Sequence, residues 1–190
     1  KGSGINSDTP EYFDLNDNKI NAGWVTTFNE LAVVSENRLT KINYSQNKEL
    51  LPFLGCAIST GIGVIDNVAA IKKNDRVLVV GCGGVGLFAL QAIKFKKPKL
   101  VVALDLNKKS IGIAKKLGIS NTYLNLKKNY NKILTLTNNK GFDKILIFTG
   151  NKRAIQDSFR LSAHKSTTIL VGVPIYGQNI SIDPFAILHG

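Results

Sequence analysis

The sequence predicts an α/β fold, a doubly wound parallel sheet, and three observations carry that prediction. Arg76 to Val80 is a short β-branched run without alternation, which suits a strand covered on both faces. It ends in Gly81-Cys82-Gly83-Gly84-Val85-Gly86, and the helical pattern that follows to about Lys97 carries Leu87, Leu90, Ala92, Ile93 and Phe95 as an apolar stripe. Strand and helix patterns then alternate as far as Pro174. Such alternation implies parallel strands joined by right-handed crossovers.

Each later element has its own signal. Leu100 to Leu104 is a second apolar strand closed by Asp105, and Lys108 to Leu117 is a helix with Ile111, Ile113, Ala114 and Leu117 inward, stopped by Gly118. Thr122 to Leu124 is a brief third strand, and Tyr130 to Thr137 a short helix or irregular crossover. Phe142 to Phe148 forms a fourth strand ending at Thr149-Gly150, Lys152 to Ser162 a helix, and Thr167 to Val173 a fifth strand halted by Pro174. The expected strand order is 3-2-1-4-5, with a ligand at the carboxyl ends where the order reverses. A complete fold of this kind usually has a sixth strand, and the sequence to Gly190 does not supply one.

Upstream, residues 1 to 23 are rich in Gly, Ser, Asn and Asp and read as loop. Trp24 to Ile42 suggests two short strands around Ser35-Glu36-Asn37-Arg38. From Asn47 to Asn67 the second half is helical in pattern with Gly61 and Gly63 embedded, which costs helix stability and signals close approach of another backbone or a ligand. The expected division is therefore 1–46, loop and strands, and 47–190, the doubly wound domain.

Composition narrows the function. Hydrophobic content of 44% and charged content of 20% are those of a globular protein, and the sequence shows no signal-peptide pattern and no apolar run near the roughly 20 residues of a membrane span. The net charge of +12 invites a nucleic-acid reading. Against it, the lysines fall in scattered pairs with no aromatic-basic stripe, so a solvated basic surface is expected and no nucleic-acid partner. Cys56 and Cys82 make neither a disulfide framework nor, alone, a closed zinc site, which points to a reducing cytoplasm. The chain begins at Lys1 and has no methionine, as expected of a piece of a longer protein.

The glycine turn carries the chemistry. Gly81 suits the tight turn, Gly83 leaves room for a pyrophosphate against the backbone, and Gly86 lets helix and strand approach. The free N–H groups and positive end of the helix then face the phosphates. Asp105 lies 19 residues beyond Gly86, where a carboxylate can accept from both ribose hydroxyls. A lone GxGxxG is weak; here strand, glycines, helix, second strand and acid occur in register.

Together with Gly55-Cys56-Ala57-Ile58-Ser59-Thr60-Gly61, Asp105-Leu106-Asn107-Lys108, Phe142-Asp143 ahead of Thr149-Gly150, and Val171-Gly172-Val173-Pro174, this turn resembles the zinc-dependent medium-chain alcohol dehydrogenase family, from about Trp24 to Gly190. The resemblance implies a Rossmann-type sheet preceded by a residual β portion of a GroES-like catalytic domain. It implies NAD as cofactor, with Gly81, Gly83, Gly84, Val85 and Gly86 at the pyrophosphate, Asp105 at the adenosine ribose, and Leu106 and Thr149 flanking adenine. Val171 and Val173 would meet the nicotinamide carboxamide, Thr60 would pack on its ring, and Cys56 would be one ligand of a catalytic zinc.

Departures accompany the match. The family's other zinc ligands have no counterpart here, His164 at an expected helix end and His189 match no ligand position, and Ile147 is apolar where relatives are often acidic. Cys82 reads as a compact residue inside the turn. Implied for the whole enzyme is hydride transfer between an alcohol or carbonyl compound and NAD, with this chain alone inactive, and a homodimer through the sheet edge near residues 178–182. The alternative is a non-catalytic nucleotide-binding or regulatory module of the same fold. A zinc-free reductase relative is a third reading, against which Cys56 in its motif argues.

Overall fold

A computed structural model describes residues 13–19, 30–32, 34, 36–42 and 47–183. The chain divides into two compact units, Lys1–Lys48 and Glu49–Gly190. In the first, Phe13 and Lys19 form an antiparallel bridge around Asp14, whose Oδ1 accepts from the amides of Asn16 and Asn18 at 2.8 and 2.9 Å. Trp24 to Asn29, half of the expected strand pair, lies outside the described residues. Among the described residues between 30 and 42 there is no strand, only a 3-10 turn at Glu36–Arg38.

A helix, α1, Lys48–Ala69, starts at the last residue of the first unit and forms the beginning of the second, and its backbone alternates between 3-10, α and π turns. Pro52 stands at the start of its α-helical stretch Leu51–Phe53, a position that proline tolerates. Gly61, Ile65 and Ala69 form its buried stripe at a spacing of four. Most of the remaining surface is open, with Phe53, Leu54 and Val68 among the exposed side chains. At 22 residues and a mean hydropathy of 1.4, α1 is long and apolar enough to cross a membrane, so the expectation that no run approaches that length is corrected. The glycines and β-branched residues that weaken its helical pattern had disguised its length.

The five-stranded sheet is parallel throughout, in the order 3-2-1-4-5 counted along the chain, as the alternation of elements predicts. Its strands are β1 Arg76–Val80, β2 Leu100–Leu104, β3 Asn121–Tyr123, β4 Phe142–Ile147 and β5 Ser162–Leu170. The helices between them are α2 Gly84–Lys96, α3 Lys108–Lys116, α4 Leu126–Thr135 and α5 Lys152–Phe159. Successive β1 residues serve opposite faces. Val77 and Val79 join Ile65, Leu90, Ile93 and Ile111 under α1, α2 and α3, whereas Leu78 and Val80 join Ile133, Ile145, Ile147 and Ile155 under α4 and α5. Each fully buried aliphatic side chain contributes about 1.5–3 kcal/mol, so these two layers dominate stability.

Boundaries moved where polar residues carried the signal. Helix α4 starts four residues before the expected Tyr130 because Asn125 caps it, accepting from the Lys128 amide at 3.1 Å. Helix α5 stops at Phe159, and β5 begins early at Ser162, pairing with Phe142 before a bulge in which Lys165 takes a positive φ of 59°. His164 therefore lies in a strand, not at a helix end. Residues 178–182 form no strand; Ile180 packs instead against the α4–α5 layer, and the Ser181 carbonyl accepts from Gln156 Nε2 at 2.9 Å.

Candidate functional site

The strand order reverses between β1 and β4, and the loops that leave their carboxyl ends build the site. Gly81 ends β1 with a φ of +97°, and its amide donates to the Leu104 carbonyl at 2.8 Å. A Cβ at Gly86 would stand 2.0 Å from the Gly81 carbonyl oxygen, so only glycine allows α2 to start this close to the turn. At Gly83 a Cβ would meet nothing within 4 Å. That emptiness is the room a ligand backbone contact needs.

The N-termini of the sheet helices differ in how they are capped. Asn107, Asn125 and Asn151 each accept a backbone N–H at the start of α3, α4 and α5. Helix α2 has Gly83 at this position and no side-chain cap, which leaves its first N–H groups and positive dipole end for an anion.

Asp105 is held beside this turn. Its Oδ2 accepts from the Cys82 amide at 2.6 Å and its Oδ1 from the Asn107 amide at 2.7 Å. A carboxylate has about four lone-pair sites, so each oxygen keeps capacity for a hydroxyl donor. Cys82 itself is buried; desolvation first, then the Asp105 charge, push its thiol up to about 12. It is a packing residue, inert as a thiolate.

Five of the expected cofactor residues, Gly81, Gly83, Asp105, Leu106 and Thr149, line one crevice of about 290 Å³. Sequence reasoning missed Leu124, Phe148 and Asn151 in its wall; only the strand-end position of Phe148 and the turn chemistry of Asn151 could have pointed to them. Gly84 and Val85 continue the turn into α2. Val171 and Val173 leave the end of β5, where the amides of Val171 and Gly172 both donate to the Ile147 carbonyl at 2.9 Å. This segment is pressed on the β4 loop. A Cβ at Gly150 would lie 2.1 Å from the Val173 carbonyl oxygen, and one at Gly172 2.4 Å from the Thr149 carbonyl carbon.

Cys56 and Thr60 sit one turn apart on α1 and do not line the crevice. Their helix does pass the glycine turn, since a Cβ at Gly84 would touch Ala57 Cβ at 4.0 Å and one at Gly61 would clash with the Val85 carbonyl oxygen at 2.6 Å. The embedded glycine thus marks a backbone approach, as its position in the helical pattern suggests. Cys56 is exposed, and among the described residues no three His, Cys, Asp or Glu side chains cluster as a metal site would require. His189 lies outside the described residues.

The sequence pattern of the zinc-binding dehydrogenases matches residues 84–190, more than half of the chain. The chain belongs to that family. Among curated relatives, the S-(hydroxymethyl)glutathione dehydrogenase of Haemophilus influenzae is 34% identical over 171 residues, covering 87% of this chain and 44% of the relative. Its Escherichia coli counterpart is 33% identical over 172 residues, covering 87% and 46%. The solved benzyl alcohol dehydrogenase of Acinetobacter calcoaceticus superposes with a TM-score of 0.73 at 26% identity, over 83% of this chain and 43% of that one. This zinc-binding dehydrogenase chain therefore spans less than half the length of these relatives, and carries the NAD-binding domain of the zinc-dependent medium-chain alcohol dehydrogenases.

Proposed function

We propose that this chain holds NAD for the oxidation of an alcohol or the reduction of its carbonyl product, as the cofactor-holding part of a zinc-type alcohol dehydrogenase. The observation that carries the reading is the convergence of an uncapped α2 N-terminus, the open face of Gly83 and the Asp105 carboxylate on one crevice. The alcohol class is supported by the names of the relatives, dehydrogenases of S-(hydroxymethyl)glutathione and of benzyl alcohol.

Bound NAD would supply the hydride acceptor; this chain's residues bind and orient it. The N–H groups that open α2 and the turn Gly81, Gly83, Gly84, Val85 and Gly86 hold the pyrophosphate, with the helix dipole opposing its charge. Asp105 accepts from the ribose hydroxyls and repels a 2′-phosphate, which favours NAD over NADP. Leu106, 73% exposed at the crevice rim, and Thr149 flank the adenine. The Val171 and Val173 backbone, fixed by Gly150 and Gly172, meets the carboxamide, and Thr60 packs on the nicotinamide ring.

Zinc fits the described residues poorly. Cys56 offers one thiolate where a catalytic site needs three protein ligands, so no step is assigned to the metal here. Cys56 is assigned as one ligand in the whole enzyme. We further propose a cytoplasmic protein that forms a homodimer through the sheet edge near residues 178–182.

Calorimetric titration of the chain with NAD and with NADP tests the cofactor assignment. NAD should bind the more tightly, and Asp105→Gly should narrow the gap chiefly by weakening NAD. Comparable affinities of the unaltered chain for the two nucleotides would overturn the assignment.

A further inference from the structure

A second cavity, of about 980 Å³, opens between α4 and α5 on the side of the sheet away from α1. Its charged lining is one-sided: Lys127, Lys128, Lys132, Arg153 and Arg160 stand against the single carboxylate of Asp157. None of the five cations is engaged in an ion pair among the described residues, unlike Arg76 and Lys96 elsewhere in the same unit.

The placement runs against local helix chemistry. Lys127 and Lys128 occupy the first turn of α4, and Lys152 and Arg153 that of α5, with no acidic residue in either. Cations at a helix N-terminus oppose the dipole. Residues of both first turns line this cleft, so a bound anion would meet side-chain cations and positive helix ends together. The walls are fixed rather than splayed. Tyr130 Oη donates to the Arg160 carbonyl at 2.9 Å, tying α4 to the end of α5, and Lys132 Nζ lies 5.6 Å from the centre of the Tyr123 ring.

We propose that the α4–α5 cleft binds a compact multivalent phosphate anion, an oligophosphate. Two guanidinium groups can each take phosphate oxygens in bidentate fashion, and three ammonium groups neutralise the rest of the charge. Leu126 lines both this cleft and the adenosine crevice, so the two cavities share a wall. The site stands on charge and shape of its own and does not depend on the cofactor assignment.

The probe is inorganic triphosphate, titrated calorimetrically into the full chain at low and moderate ionic strength, with ATP as a second arm. The cleft variant is Lys128→Glu, Lys132→Glu, Arg153→Glu; the control, Lys72→Glu, Lys73→Glu, Lys140→Glu, makes the same change of net charge away from the cleft. Triphosphate should bind the unaltered chain and the control alike, weaken with salt, and lose about tenfold or more on the cleft variant. Tighter binding of ATP with the same loss would identify a nucleotide as the source of the oligophosphate; equal binding would identify the free anion. If the triple variant melts early, Lys128→Gln and Lys132→Gln singly should each still weaken binding by about two- to threefold. No binding by the unaltered chain, equal losses in cleft and control variants, or a loss caused by Gly83→Asp and not by the cleft variants would each overturn the proposal.

Discussion

The Cys82 amide donates to Asp105 Oδ2 across 2.6 Å, so the acid that closes β2 also holds the glycine turn that closes β1. Asp105 thus has a structural task independent of any ribose. Asp105→Gly should lower the melting temperature of the cofactor-free chain by several degrees, since a partly buried amide loses a charged acceptor worth about 1.5–3 kcal/mol. Asp105→Asn, which keeps an acceptor oxygen, should recover part of that loss. An unchanged melting temperature in Asp105→Gly would show that the turn holds itself.

Two glycines of the turn should separate folding from binding. Gly83→Val adds a side chain into open space and should leave the melting temperature within about 2 °C while removing NAD binding. Gly86→Val drives a side chain into the Gly81 carbonyl and should cost about 3 kcal/mol in urea unfolding. Retained NAD affinity in folded Gly83→Val would place the pyrophosphate elsewhere.

The two thiols should differ in reactivity. At pH 8 an aromatic disulfide reagent should titrate Cys56, which is exposed, while Cys82 stays silent because burial and the Asp105 charge hold its thiol protonated. Both should react in denaturant. Rapid native reaction of Cys82, detected with Cys56→Ser, would contradict the buried turn.

At the opposite end of the sheet, Arg76 clamps Asp143 with Nη2 to Oδ1 at 2.7 Å and Nε to Oδ2 at 2.8 Å, while the Arg76 amide adds a bond of 2.8 Å to Oδ2. The guanidinium hydrogen bonds hold this carboxyl below the usual carboxylate range. A depressed folded value means that its stabilisation is complete above the unfolded value near 3.9 and is lost as pH falls through the lower folded value. Asp143→Asn should therefore cost about 2 kcal/mol at pH 7, and the deficit should shrink in acid. A deficit that persists undiminished below pH about 2 would assign the effect to packing instead.

How much was legible depended on where the signal sat. Val77 to Val80 and Leu100 to Leu104 read directly as buried strands because no polar residue interrupts them, and Gly81, Gly83 and Asp105 read as a site because their spacing is set by one local unit. The start of β5 was hidden in Ser162-Ala163-His164-Lys165-Ser166, a polar run whose pairing to Phe142 depends on a bulge no periodicity reveals. Phe148 and Leu124 join the crevice only through the convergence of β4 and β3 ends. The contacts of Gly150 with Val173 and of Gly172 with Thr149 likewise join residues 23 apart, beyond the reach of turn rules.

Helix α1 has a further consequence for what counts as the folding unit. The family pattern begins at residue 84 and the sheet at Arg76, yet Ile65 and Ala69 are as deeply enclosed as the strand residues and belong to the same buried cluster as Val77, Val79 and Ile93. A shortened chain beginning at Arg76 would keep every cofactor contact proposed from the glycine turn onward and still expose the side of this buried layer that Ile65 and Ala69 close. The smallest piece able to stand alone therefore begins upstream of the recognisable motif, at Glu49 or before, and the inheritance of this nucleotide fold includes a helix that touches no nucleotide phosphate.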